Sequence, residues 1–134
     1  MILIEIIVGI IAAAILVFVA RKKDVSFWRL ALIITALIYV GFALFGKQWD
    51  WLPIEFGGVL LYSFFVFLSF RFSNLFLALG WALHVVWDLA LHFDGHPGYV
   101  PEWYPGVCLG LDLMVAGYLT WLFLGKKRET LSPR

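Results

Sequence analysis

ILIEIIVGIIAAAILVFVARKKD, residues 2–24, carries one charge, Glu5, before it reaches the basic cluster Arg21, Lys22 and Lys23. A helix at the surface of a soluble domain keeps a polar face for water. This stretch has none. Its apolar part matches the roughly 20 residues that a helix needs to cross a bilayer core about 30 Å thick. It also lacks the basic n-region that a secretory signal peptide places ahead of its apolar run. It reads as a retained membrane helix that starts on the non-cytoplasmic side.

The rest of the chain extends that reading. Of 134 residues, 63% are hydrophobic and 14% charged, where a soluble domain has about 25% charged. Apolar segments at residues 2–20, 26–45, 53–70, 74–92 and 104–124 predict an all-α integral membrane protein, a five-transmembrane-helix bundle in one domain over residues 1–125. Residues 126–134 predict a polar tail. Pro53 suits a first helical turn, and Ser73 or Asn74 suits the cap of the fourth helix. The loop FDGHPGYVPEWYP is dense in Gly and Pro and separates the last two helices. Cys108 is the only cysteine, which excludes an internal disulfide and a thiolate metal cluster. The formal charge is +1, and no nucleic-acid partner is expected.

Five crossings put the two ends on opposite sides. With the first loop in the cytoplasm, that side holds Arg21, Lys22, Lys23, Arg29, Arg71, Lys126, Lys127, Arg128 and Arg134, and the other holds Lys47. This positive-inside bias predicts an outer N-terminus and a cytoplasmic C-terminus. Trp49, Trp51 and Trp103 then fall at the outer boundary and Trp28 at the inner one. The acids distribute differently. Asp24 and Glu129 are cytoplasmic, whereas Glu5, Asp50, Glu55, Asp88, Asp94, Glu102 and Asp112 fall in the outer half or outer loops, with His84, His92 and His96.

Depth follows from a rise of about 1.5 Å per residue. His84 and Asp112 lie roughly 12 Å below the outer boundary, Asp88 roughly 6 Å, and Glu5 and Glu55 about 3–5 Å. In GWALHVVWDLALHFDGH, residues 80–96, His84, Asp88 and His92 recur every four residues and share one helix face. Ionisable groups at this depth cost several kcal/mol unless paired or functional. If the stripe faces inward, the polar groups of four helices line a site open to the outer side. The cytoplasmic half offers only Tyr39, Thr35, Ser63 and Thr120. Gly106 and Gly110 form a G-x-x-x-G pair, and Gly57, Gly58, Gly80 and Gly117 add small patches suited to close helix packing.

Plainer roles stand beside these. Glu5 and Glu55 are near enough to the surface to be interfacial. Asp50, Asp94 and Glu102 fit solvated loop charges, and His92 and His96 fit loop residues. His84 fits a core histidine bonded to Asp112 or a carbonyl. Trp81 and Trp87 fit packing.

GWALHVVWDLALH resembles the signature of a family of small bacterial integral-membrane proteins of unknown function, G-W-x-x-H-x-x-W-D-x-x-x-H, which implies no activity. His84 and Asp88 also look like the H-x-x-x-E of the sterol isomerase and sigma-2 receptor superfamily, whose small helical bundles enclose lipid-like ligands. That resemblance covers one helix of five and departs in having Asp for Glu. It implies acid/base roles for His84 and Asp88.

Three functions follow. The first is a membrane enzyme without a cofactor. Close carboxylates in low dielectric do not ionise together, so one serves as general acid and the other as base. Asp88, Asp112, Glu55 and Glu5 are the candidate acids, with His84 as relay. Trp81, Trp87, Tyr62 and Trp103 would hold an isoprenoid or sterol-like substrate or stabilise a carbocation on it. Isomerisation, cyclisation or epoxide opening suits such a site. The second is a metal site in which His84, Asp88, His92 and Asp112 bind Zn, Mn or Fe. The third is a non-catalytic small-ligand binder. A transporter fits less well, for want of a repeat and of polar groups in the cytoplasmic half. The expected partners are an apolar or lipid ligand, membrane lipids and a second copy through the Gly-rich faces. The expected location is the plasma membrane, or the inner membrane of a bacterium, with the site facing the non-cytoplasmic side.

Overall fold

The computed structural model describes residues 2–91 and 100–131, with residues 126–131 as helical backbone. Within them run five helices: α1 (Ile2–Ala20), α2 (Ser26–Phe45), α3 (Leu52–Arg71), α4 (Leu75–Leu91) and α5 (Tyr104–Leu131). Four are long and apolar enough to cross a membrane: α1, α2, α3 and the part of α5 from Tyr104 to Gly125. α4 is shorter, at 17 residues, or about 26 Å. α5 departs from the expected end near residue 124. Its backbone stays helical to Leu131, because GKKRETL holds no proline to break the hydrogen-bond ladder.

The bundle is apolar outside and polar inside. Phe45, Leu60, Phe72 and Trp121 stand exposed, while Glu55, His84, Asp88 and Asp112 are buried. In water this polarity would be ruinous. In hydrocarbon it is the stable arrangement, because helices satisfy their own backbone groups and present side chains to lipid. Ile and Val in α1 cost little there despite their modest helix propensity.

The helix ends are chemically defined. Asp24 Oδ1 accepts the Val25 N–H at 2.7 Å and holds the start of α2. α2 ends in a Schellman turn: Gln48 N–H donates to the Ala43 carbonyl and Lys47 N–H to that of Leu44. Lys47 occupies the left-handed position, at φ 54°, where glycine is the usual residue. Pro53 sits in the first turn of α3. Ser73 Oγ accepts the Leu75 N–H at 3.2 Å and caps α4. Asn74 is used differently. Its side chain accepts Arg29 at 2.8 Å, while Arg29 Nε donates to Ser69 Oγ at 2.9 Å. Arg29 is 9% exposed and lies over the Phe70 ring. It ties α2 to the α3–α4 corner and is not a loop charge.

Packing runs in the order α1, α5, α4, α3, α2, with α2 also crossing α4. α1 buries only Gly9, Ala13 and Ala20, so small residues make its seam with α5. A Cβ at Gly9 would strike the Val107 carbonyl, and one at Gly110 the Ile6 carbonyl. Gly106 lies against Glu5 and Ile2 of α1. Gly58 meets Trp87, and Gly80 meets Leu32 and Phe65. Gly57 and Gly117 face open space. α4 is the hub. It packs against α5 and α3 and contributes Leu77, Ala78 and Trp81 to the core, with Leu32 from α2 and Val115 and Leu119 from α5.

Candidate functional site

The inward face of α4 carries Trp81, His84, Val85 and Asp88, spaced as neighbours on one helix stripe. α5 brings Asp112 to the same level. Asp112 Oδ2 lies 2.6 Å from His84 Nδ1, and Asp88 Oδ2 lies 3.5 Å from that nitrogen. From α2, the Tyr39 hydroxyl donates to Asp88 Oδ1 at 2.6 Å. A carboxylate oxygen of Asp88 and one of Asp112 lie within 4.8 Å of each other. His84, Asp88, Asp112 and Tyr39 are each 0% exposed.

Aromatic rings wall the cluster. The Tyr62 ring of α3 stands 5.1 Å from the His84 ring, and its hydroxyl donates to the Leu83 carbonyl. Tyr104, Cys108 and Asp112 repeat at i, i+4 and i+8 along α5. The Cys108 thiol is within hydrogen-bond reach of the Tyr39 and Tyr104 hydroxyls. Tyr104 stacks edge-on against Tyr39, with centroids 5.5 Å apart.

The hydrogen bonds define what the cluster can do. With Asp112 ionised and the imidazole neutral, Nδ1 carries the His84 proton and Nε2 a lone pair, the tautomer that an orienting carboxylate selects. That Nε2 is buried and has no partner among the described residues. Asp88 Oδ2 and Asp112 Oδ1 also lack a donor. Buried carboxyl oxygens without a donor call for a proton or a cation. One ligand atom each from His84, Asp88 and Asp112 lies within 4.8 Å of the others, so the three could hold a metal ion.

The other expected residues are placed as follows. Glu55 is 1% exposed, on the same α3 face as Tyr62 and two turns nearer the helix start. Glu5 is half-buried and packs over Gly106, six residues along α5 from Asp112. Trp87 fills the space above Gly58 and meets Tyr62 edge-on at 6.1 Å. Trp81 is buried, and its indole N–H has no partner. Trp103 is 55% exposed and stacks on Tyr104, outside the cluster. His92, Asp94 and His96 lie outside the described residues.

Tyr39 corrects the sequence reading, which counted it among the polar groups of the cytoplasmic half. It lies six residues from the end of α2 that faces the Trp49–Trp51 turn, about 9 Å along the helix, which is the level of Asp88. The same depth arithmetic applied to tyrosines would have found it. Cys108 and Tyr104 could have been found from their four-residue spacing to Asp112.

The fold and the cluster together define an all-helical membrane protein with an enclosed ionisable centre. The chain belongs to a family of unknown function: residues 1–127 match the model described as Family of unknown function (DUF6010). No curated protein and no solved structure matches the chain. The family finding agrees with the first resemblance in carrying no activity, and the likeness to sterol isomerases gains nothing from it.

Proposed function

We propose that this chain is a membrane-embedded enzyme that moves protons on an apolar, lipid-like substrate. The carrying observation is the buried, unpartnered Nε2 of His84, backed by the Asp112 hydrogen bond at 2.6 Å. In this reading Asp112 orients the imidazole, His84 Nε2 is the base, and Asp88, held by Tyr39, is the acid. Tyr62, Trp81 and Trp87 hold the apolar body of the substrate, and Glu55 supports the site from α3. Isomerisation, cyclisation and epoxide opening of an isoprenoid or sterol-like lipid need no more than this acid/base pair. In this reading the N-terminus is outside, the C-terminus is in the cytoplasm and the cluster is in the outer half of the membrane, a topology supported by the positive-inside distribution of Lys and Arg.

A second reading has its own observation. The convergence of His84, Asp88 and Asp112 supplies three ligands of the kind catalytic metal sites use, with a fourth position left for water or substrate. Two carboxylates would neutralise a divalent Zn, Mn or Fe ion.

One experiment separates the two. Protein purified in mild detergent without chelator is measured for metals and for turnover of a membrane lipid extract by mass spectrometry. The acid/base reading expects lipid conversion by the wild type without stoichiometric metal, abolished in Asp112→Asn and Asp88→Asn. One metal per chain, lost in His84→Ala, replaces it with the metal reading. Neither metal nor conversion, with an unconverted lipid retained, leaves a ligand binder.

A further inference from the structure

At the end of the bundle that carries the α1–α2 loop, two cavities lie one above the other in the trough between α1, α2 and α5. The inner one, of about 220 Å³, is apolar and lined by Leu16, Ala31, Ile34, Trp81 and Leu111 together with Trp28. The outer one, of about 240 Å³, is lined by Arg21, Lys23, Tyr118, Phe123 and again Trp28. Trp28 is therefore a wall of both. Its ring is held edge-on by Phe27 at 5.0 Å and by Trp81 at 6.2 Å. From Leu111 to Phe123 the trough follows α5 for twelve residues, about 18 Å. The trough exists because α1 leans on α5 and not on α2. It opens toward the surface that faces lipid, beside the exposed Leu30 and Ile34.

We infer that this trough is a binding site for one anionic phospholipid, with its phosphate between Arg21 and Lys23 and one acyl chain lying past Trp28 toward Trp81 and Leu111. Charge and shape agree on this occupant. Arg21 and Lys23 are exposed, and the Arg21 guanidinium is braced over the Phe18 ring at 4.1 Å. The nearby Asp24 carboxylate is engaged with Val25 N–H and Ser26 Oγ, and the cationic cavity is lined by Arg21 and Lys23 without it. A purely apolar guest would leave Arg21 and Lys23 unused, and a soluble phosphate would leave the inner cavity empty. A phospholipid fills both, as basic pockets between membrane helices do for anionic headgroups. The inner end stops one turn from His84 and one residue from Asp112. The site nevertheless stands whether or not that cluster is catalytic.

The test is native mass spectrometry of the full chain titrated with phosphatidylglycerol or with phosphatidylcholine of identical chains. The expected result is a single tight phosphatidylglycerol adduct, weakened about 5-fold by Arg21→Gln or Lys23→Gln and roughly 30-fold by both together. Ala31→Trp, which fills the inner cavity, removes the adduct while both cations remain. Equal binding of the two lipids, or adducts indifferent to the charge variants, overturns the inference. So does displacement by inorganic phosphate, which would show a headgroup site alone. None of these readouts depends on turnover, so Asp112→Asn, inactive under the acid/base proposal, retains the adduct.

Discussion

A buried polar cluster that serves catalysis should be a burden to the fold, and here the burden can be sized. Three of its atoms, His84 Nε2, Asp88 Oδ2 and Asp112 Oδ1, have no partner among the described residues, at about 1–3 kcal/mol each. Against that stand the hydrogen bonds from Tyr39 to Asp88 and between His84 and Asp112, which contribute about 1.5–3 kcal/mol each when charge-assisted. At mid-range the cluster costs about 1–2 kcal/mol more than it contributes. The fourfold variant Tyr39→Phe, His84→Leu, Asp88→Val, Asp112→Val should therefore fold and gain about 1–4 kcal/mol, as replaced buried ion pairs do. Asp112→Val alone should lose about 3–5 kcal/mol, because it strands His84 beside a carboxylate with no second partner. Reversible unfolding in mixed micelles, followed by circular dichroism, reads both values. A fourfold variant less stable than the single one would refute the reasoning. The cluster would then be what holds α2, α4 and α5 together, and its burial would need no catalytic explanation.

Three further outcomes are expected. Gly110→Ala should cost about 1–3 kcal/mol, because its Cβ meets the Ile6 backbone and not a flexible side chain; Gly117→Ala, with open space around it, is the matched control, and equal melting temperatures for the two would contradict the seam. Lys47→Gly should raise stability by about 0.5–1 kcal/mol by relieving a left-handed lysine, and a lower melting temperature would show that Lys47 has a role beyond the turn. Arg29→Lys should destabilise by about 1.5–3 kcal/mol, since an ammonium cannot reach Ser69 and Asn74 as a planar fork does; an unchanged unfolding midpoint would make Arg29 an ordinary interfacial charge.

The helices were legible because hydrocarbon thickness sets their length and charged residues punctuate them, so their starts and ends, apart from the end of α5, fall close to the expected positions. The meeting of His84, Asp88 and Asp112 was legible too, since depth along each helix is a matter of counting. What depth does not contain is lateral order. Glu5 shares the outer region with Glu55, yet α1 packs on α5 and sets Glu5 over Gly106. Arg29 counts as a surface charge in any tally of loops, and only the fold shows that Ser69 and Asn74 enclose it. The trough around Trp28 was invisible for the same reason: it is a gap between α1 and α2, and a gap between neighbours in sequence leaves no pattern in either.

The α1–α5 seam joins two helices at opposite ends of the described order, which has a consequence for how the chain assembles. During synthesis α1 lacks its main packing partner until α5 has been made, since its packing is with α5. It must wait alone in lipid. Its composition suits the wait, for it is the most apolar of the membrane-length helices. Its docking face is mostly small residues and bare backbone, with Glu5 near the helix start as the one ionisable group set against α5. Closure of this seam has to follow the synthesis of α5, and a chain halted before α5 leaves α1 without the helix it packs on.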